Sequence, residues 1–284
     1  MKLGIRAHDL GKGTIHDIAR LAKEQNIEYL QLVLSKAIIN DDGLLNESKA
    51  KSLYNVLEIN NLHVAMMGAY FNPVHSKKEV VEFGIRKFKN HLKYAPLLNC
   101  NYVGTETGSF NDDSWTYNPK NHTEEAYQIV LETILELCKY SLDYNSNVVC
   151  EGAYGHVIYS PERLKRLVDD VESIYPNQIK VIVDLYNYLN YDNHMNHYQI
   201  LIQAIELLKD KIVIFHLKDY ILIDGKLKQV GIGKGLMDYP KILNAILTYC
   251  PDAYLIFEGV VGTDIIESLA YIRNNIKEYK NGSK

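Results

Sequence analysis

The chain predicts a closed barrel of eight parallel strands, each followed by a helix, forming one domain over residues 1–284. Three observations predict it. Strand-like apolar runs alternate with helical periodicity from end to end, with no low-complexity linker between them. No glycine-rich dinucleotide fingerprint follows the first run, as an open, doubly wound sheet would favour. The last four runs each close on an ionisable side chain: Glu151 in VVCEG, Asp184 in VIVDLYN, His216 in IVIFHLKD and Glu258 in YLIFEG. Their spacings are 33, 32 and 42 residues, against about 31 for one strand-plus-helix unit of a barrel of about 250 residues.

The strand-like segments are 3–8, 29–34, 63–70, 102–106, 148–152, 180–186, 212–218 and 253–259. Helical periodicity is read at 14–26, where Ile15, Ile18, Ala19 and Ala22 share a face, and at 46–61, which opens on Asn46 as a cap. It continues at 124–140, 161–174, 198–210, 239–250 and 264–279. No segment is assigned to the helix that the alternation demands between the third and fourth strands. Ser160 followed by Pro161 supplies a cap and a proline at the first helical position, and Asp238-Tyr239-Pro240 offers a similar start.

Side chains two residues apart on a strand share a face. The residues two before the four polar ends are Val149, Ile182, Ile214 and Ile256. All are β-branched and apolar, as a layer of the barrel interior just beneath an active-site end requires. The longer last spacing falls in residues 223–235, where Asp224-Gly225 reads as a tight hairpin turn. The glycines at 231, 233 and 235 read as turn formers, with phosphate binding through backbone amides as the alternative.

Composition narrows the function classes. A net charge of −4 gives no electrostatic reason to expect nucleic acid or an anionic membrane. No apolar run approaches the roughly 18 residues of a membrane span, and the charged start MKLGIRAHD has no signal-peptide core. Cys100, Cys138, Cys150 and Cys250 lack metal or redox spacing and read as free thiols of a cytoplasmic protein. Cys150 neighbours Glu151 on the strand and should face the helix layer instead of the axis.

Four polar ends on successive strands would converge at one end of the barrel. Three converging carboxylates repel one another, by roughly 4 kcal/mol per pair at about 4 Å and an effective dielectric near 20. A divalent cation relieves that repulsion, and oxygen donors with one imidazole suit Mn²⁺, Mg²⁺, Co²⁺ or Zn²⁺. The competing reading is a salt-bridge cluster around Lys218 or Arg6, with His216 as an ordinary core histidine.

These residues resemble the xylose-isomerase-like TIM-barrel superfamily, and within it the sugar (phosphate) isomerase/epimerase branch. The resemblance spans the chain and is strongest from Glu151 to Glu258, through DLYN (184–187), HLKD (216–219) and FEG (257–259), with ETG (106–108) at the pocket wall. It implies one divalent ion, commonly manganese, held by Glu151, Asp184, His216 and Glu258. It also implies a small-molecule sugar or sugar derivative as substrate; a homo-oligomer is compatible with the sequence. Ketose 3-epimerases often carry His three residues after the metal Asp, where this chain has Asn187.

The chemistry expected is proton transfer beside a carbonyl, through an enediolate stabilised by the cation, with Glu151 and Glu258 as the catalytic bases. Substrate contacts are expected from Asn187, Lys218, Glu106 and His8, with Trp115 of FNDDSWTY as a stacking wall. His156 could gate the site. Dehydration of a polyol or keto-cyclitol is the alternative within the superfamily. An endonuclease-IV-like phosphodiesterase would need further histidines and a basic surface. A hydride-shift isomerase would need more carboxylates after strand seven than Asp219 alone. A non-catalytic sugar-binding barrel would be expected to have lost a ligand.

Overall fold

The computed structural model describes residues 2–282. Its barrel strands are β1 (Lys2–Arg6), β2 (Tyr29–Leu32), β3 (His63–Gly68), β4 (Tyr102–Glu106), β5 (Asn147–Glu151), β6 (Ile179–Asp184) and β7 (Ile212–Leu217). After a separate hairpin of β8 (Asp219–Ile223) and β9 (Lys226–Val230), β10 (Tyr254–Phe257) is the eighth. All pair in parallel, in the closed order β1-β10-β7-β6-β5-β4-β3-β2. Several strands end sooner than the apolar runs suggest, so His8 lies not on β1 but in a short helix, α1 (Ala7–Leu10).

The remaining helices are α2 (Ile15–Glu24), the short α3 (Leu34–Ala37), α4 (Glu47–Ile59), α5 (Lys78–Tyr94), α6 (Glu124–Ser141), α7 (Pro161–Glu172), α8 (His197–Leu208), α9 (Tyr239–Tyr249) and α10 (Asp264–Lys280). The expected caps form: Asn46, Ser160 and Asp238 accept from the amides of Lys49, Arg163 and Lys241. Helix α5 is the one the periodicity missed. Its buried face consists of Gly84, Phe88, His91 and Leu92, so two of the four inward positions carry no apolar signal. It also begins without a side-chain cap.

Two cores result. The larger lies between strands and helices and includes Cys150, facing outward as its register requires. The four cysteines are free and buried. The smaller fills the barrel and consists of Ala65, Met66, Val149, Ile182, Ile214 and Ile256. The four residues singled out by the two-residue offset are all in it. Glycine keeps this layer closed at Gly104, where a Cβ would overlap the Met66 side chain.

Register sets the polar ends level. Glu106 pairs with Glu151, and Asp184 with His216. The second pairing depends on a shift between Val181 and Ile182, where β7 runs one residue ahead of β6. The insertion after β7 is the β8–β9 hairpin, closed by Asp224 and Gly225 at φ 49° and 71°. Two consecutive left-handed residues are what a two-residue hairpin turn matched to strand twist demands. Among the described residues no helix is long and apolar enough to cross a membrane.

Candidate metal centre

Glu151, Asp184, His216 and Glu258 each offer one donor atom, and these atoms lie within 4.8 Å of one another. His216 is the hub: its Nδ1 stands 2.8 Å from Glu258 Oε2, 3.4 Å from Glu151 Oε2 and 3.6 Å from Asp184 Oδ2. Its other nitrogen, Nε2, lies 2.7 Å from Gln31 Oε1, and the Gln31 amide donates onward to Tyr70 Oη at 2.7 Å. That amide donation leaves Gln31 Oε1 as an acceptor, so Nε2 carries a proton and Nδ1 is the nitrogen that could give its lone pair to a bound cation. Buried Nδ1 makes no aligned hydrogen bond. A buried, unsatisfied imidazole nitrogen facing three carboxylates fits a divalent cation.

The ligands are held differently. Glu258 Oε1 receives both the Arg6 guanidinium at 2.9 Å and the Lys218 ammonium at 2.8 Å. Arg6 is itself gripped by Asp9, through Nε at 2.8 Å and Nη2 at 2.9 Å, and Asp9 accepts from the Gly259 amide at 2.7 Å. Among the described residues, Glu151 Oε1 accepts only from the neutral Asn187 amide, at 2.7 Å. Asn187 also accepts from Lys218 at 3.0 Å, and its backbone amide donates to Asp184 Oδ1 at 3.0 Å. Lys218 stands 2.8 Å from Asp184 Oδ2 as an ion pair without hydrogen-bond alignment.

Charge follows from these contacts in the metal-free protein. Burial alone would raise Glu258, but Lys218, His216 and Arg6 hold it well below the usual carboxylate range. Burial raises Glu151, against the pull of His216. Burial would lower His216, but Glu151 and Glu258 carry it well above an ordinary imidazole. Without a cation, then, an imidazolium takes part of its electrostatic place.

A family description, xylose isomerase-like TIM barrel, matches residues 8–275. The chain belongs to that family. Comparison with curated protein sequences finds no match. Among solved structures, a D-tagatose 3-epimerase-like protein superposes with a TM-score of 0.78 at 16% identity, covering 100% of both chains. The 3-keto-D-glucoside 4-epimerase of E. coli gives 0.74 at 16% identity, over 96% of this chain and 99% of that one. A xylose isomerase-like TIM barrel protein from Mycobacterium smegmatis, in complex with magnesium, gives 0.71 at 14%, over 93% and 88%. At such identities the likeness is one of fold.

In this xylose isomerase-like barrel, a cavity of about 290 Å³ opens over the quartet, lined by Arg6, His8, Lys36, Tyr70, Glu106, Asp113, Trp115, Glu151 and Glu258. His8, Glu106 and Trp115 therefore face the recess where substrate contacts were expected. Burial, then repulsion from Glu151 and Glu258, pushes Glu106 up to about 8. Lys218, for which a substrate contact and a salt-bridge cluster were both read, is buried with its ammonium committed to Asp184, Glu258 and Asn187. His156 is buried instead of solvated, with Nε2 3.1 Å from the Trp115 carbonyl and its ring edge-on to the indole.

The glycine loop is not an anion cradle. The amides of Gly233 and Gly235 donate to Asp219, as do those of Tyr220 and Met237, while Ile232 donates to Ser268 and Lys234 to Gly231. Asp219 thus organises the turn and is no metal ligand. Gln31, Asp9 and Tyr70 were not anticipated. Gln31 had a readable signal, an uncharged polar residue inside the apolar run YLQLVL.

Proposed function

We propose that this protein is a divalent-cation-dependent isomerase or epimerase of sugars or sugar derivatives, working by proton transfer at a carbon next to a carbonyl. The observation that carries the reading is which members of the quartet border the cavity: all but Glu258 are buried, yet Glu151 lines the recess together with Glu258. Asp184 and His216 are sealed below, whereas Glu151 and Glu258 reach both the cation position and the wall of the cavity. Two carboxylates bordering one substrate-sized recess can remove and return a proton.

Glu151, Asp184, His216 and Glu258 would hold the ion, which we assign as Mn²⁺, with Mg²⁺, Co²⁺ or Zn²⁺ able to replace it. When bound it supplies Lewis-acid stabilisation of the charge that develops on the substrate oxygens. Glu151, restrained by one neutral amide, is the more adaptable base. Glu258, clamped by Arg6 and Lys218, is kept ionised and fixed in direction. Glu106 and His8 are placed to bind hydroxyls, and Trp115 to cover a ring face. Asn187 and Lys218 act through the ligands they hold.

The test is exchange of substrate hydrogen with D₂O, followed by NMR with Mn²⁺- and Mg²⁺-loaded protein over a panel of ketoses, keto-glycosides and keto-cyclitols. Incorporation of deuterium with conserved carbon skeleton and oxidation state is expected. A product short of one water would replace the proposal with dehydration, and no exchange with any substrate and cation would remove it.

A further inference from the structure

The cavity over the quartet adjoins a second one. This neighbour measures about 490 Å³, against about 290 Å³ for the first, and the two share Glu106 and Trp115. Ligand sites for small molecules run from about 300 to about 1,000 Å³. The first recess is therefore sized for a single sugar ring, and a free monosaccharide would leave the larger neighbour unused.

We infer that the second cavity is a subsite for a second sugar ring, so that the preferred substrate is a keto sugar carrying a glycosidic substituent. This rests on the sugar-isomerase reading above and names its substrate class. The lining has the chemistry a neutral ring needs. Trp115, Tyr186 and Tyr191 supply aromatic faces for the C–H side of a pyranose, and Asn190 supplies an amide for its hydroxyls. Tyr191 is 59% exposed at the rim, which leaves much of its ring surface open to a ligand.

Charge argues against a phosphate in the same place. Lys226 is the one Lys or Arg side chain in the lining, and Glu106 sits at the junction. Tight phosphate sites gather several charged donors, and the nearby glycine-loop amides already serve Asp219, Ser268 and Gly231.

The far wall is a construction of the chain's own insertion. Gly225, Lys226 and Leu227 of the β8–β9 hairpin line the cavity, Gly225 lies against the Tyr191 ring, and Tyr186 Oη donates to the Leu227 carbonyl at 3.3 Å. The residues that lengthen the loop after β7 thus enclose space beside the reaction site. Asn187 links the two recesses, since it lines the second cavity and its amide holds Glu151, which lines the first.

Trp115 is the only tryptophan in the chain and stands at the junction, so intrinsic fluorescence reports binding there. The Mg²⁺-loaded protein is titrated with fructose and with the four glucosyl-fructoses linked through O3, O4, O5 and O6. At least one disaccharide should bind about tenfold more tightly than fructose, a modest gain for an added stacked ring. Tyr191→Ala should collapse that preference and Tyr191→Phe should retain it. No signal with any sugar, no disaccharide preferred over fructose, or a preference that survives Tyr191→Ala would each overturn the inference. Deuterium exchange run on the same samples separates the two claims. A disaccharide preference without exchange would remove the isomerase reading and leave the subsite, and exchange on fructose with no disaccharide preference would do the reverse.

Discussion

The two halves of the barrel contribute different things to one site. Strands β5, β6, β7 and β10 end in Glu151, Asp184, His216 and Glu258, the side chains that could hold a cation. Strands β1 to β4 and the turns after them end in Arg6, Gln31, Tyr70 and Glu106, which aim those ligands or face the cavity. Arg6 and Gln31 are partners in register on adjacent strands; Arg6 grips Glu258 at the end of neighbouring β10, and Gln31 reaches His216 across the barrel mouth. The candidate donors all come from one half, and the other adds orienting contacts to those that Asn187 and Lys218 make within the ligand half itself. A closed barrel makes that division workable, because strands far apart in the chain meet at its rim.

This contrast can be broken experimentally. The largest effect should come from the ligand half: Glu151→Gln and Glu258→Gln should each lower turnover by roughly a thousandfold, within the 10²–10⁴ range for losing a general base. The folded circular-dichroism spectrum should persist in both. Near-normal exchange in both variants would defeat the two-base scheme.

A smaller effect is expected from the orienting half. Gln31→Leu removes the partner of His216 Nε2 but none of the cation's donors, and should weaken Mn²⁺ binding by about ten- to a hundredfold. Calorimetric titration of the metal reads this directly. Loss as complete as in His216→Ala would mean the halves do not divide the work as described.

Beneath the ligands, the interior layer should respond only in stability. Ile214→Val removes one methylene from a fully buried position and should cost about 1 kcal/mol in urea unfolding. A negligible cost would mean that the layer is loosely packed.

The smallest effect at neutral pH concerns the helix shell of the first half. Burial pulls His91 down to about 4 from 6.5, with its Nδ1 donating to the Lys87 carbonyl at 2.8 Å. Because the folded value is depressed, the unfolded chain takes up the proton first as pH falls. The stability from this group is thus complete above about pH 6.5 and drains toward pH 4. His91→Gln should flatten thermal stability across that window and leave the pH dependence above 7 unchanged. An acid limb identical to that of the parent protein would show that His91 does not contribute it.

The ligand half was far more legible than the orienting half, for a physical reason. A charge at the end of an apolar run is expensive to bury, so Glu151, Asp184 and Glu258 stand out wherever they occur. Gln31 is cheaper to bury, and Tyr70 reads as an ordinary aromatic. Asp9 lies just past a strand, where a carboxylate attracts no notice. Helix α5 escaped for a related reason, since Gly84 and His91 interrupt its inward stripe. Lys218 was noticed, but strand alternation told only which way it points and not which two carboxylates and amide would capture it.

By itself, the sequence determined the barrel, its interior layer at Val149, Ile182, Ile214 and Ile256, and the four side chains at its mouth. Those features depend on local periodicity, which is written residue by residue along a strand. Only the tertiary structure decided that Arg6 and Gln31 would meet ligands from the other half of the chain, or that the hairpin after β7 would wall a second cavity. Such contacts join residues up to 252 positions apart, as Arg6 joins Glu258, and closure of the barrel, not any pattern near either residue, brings them together.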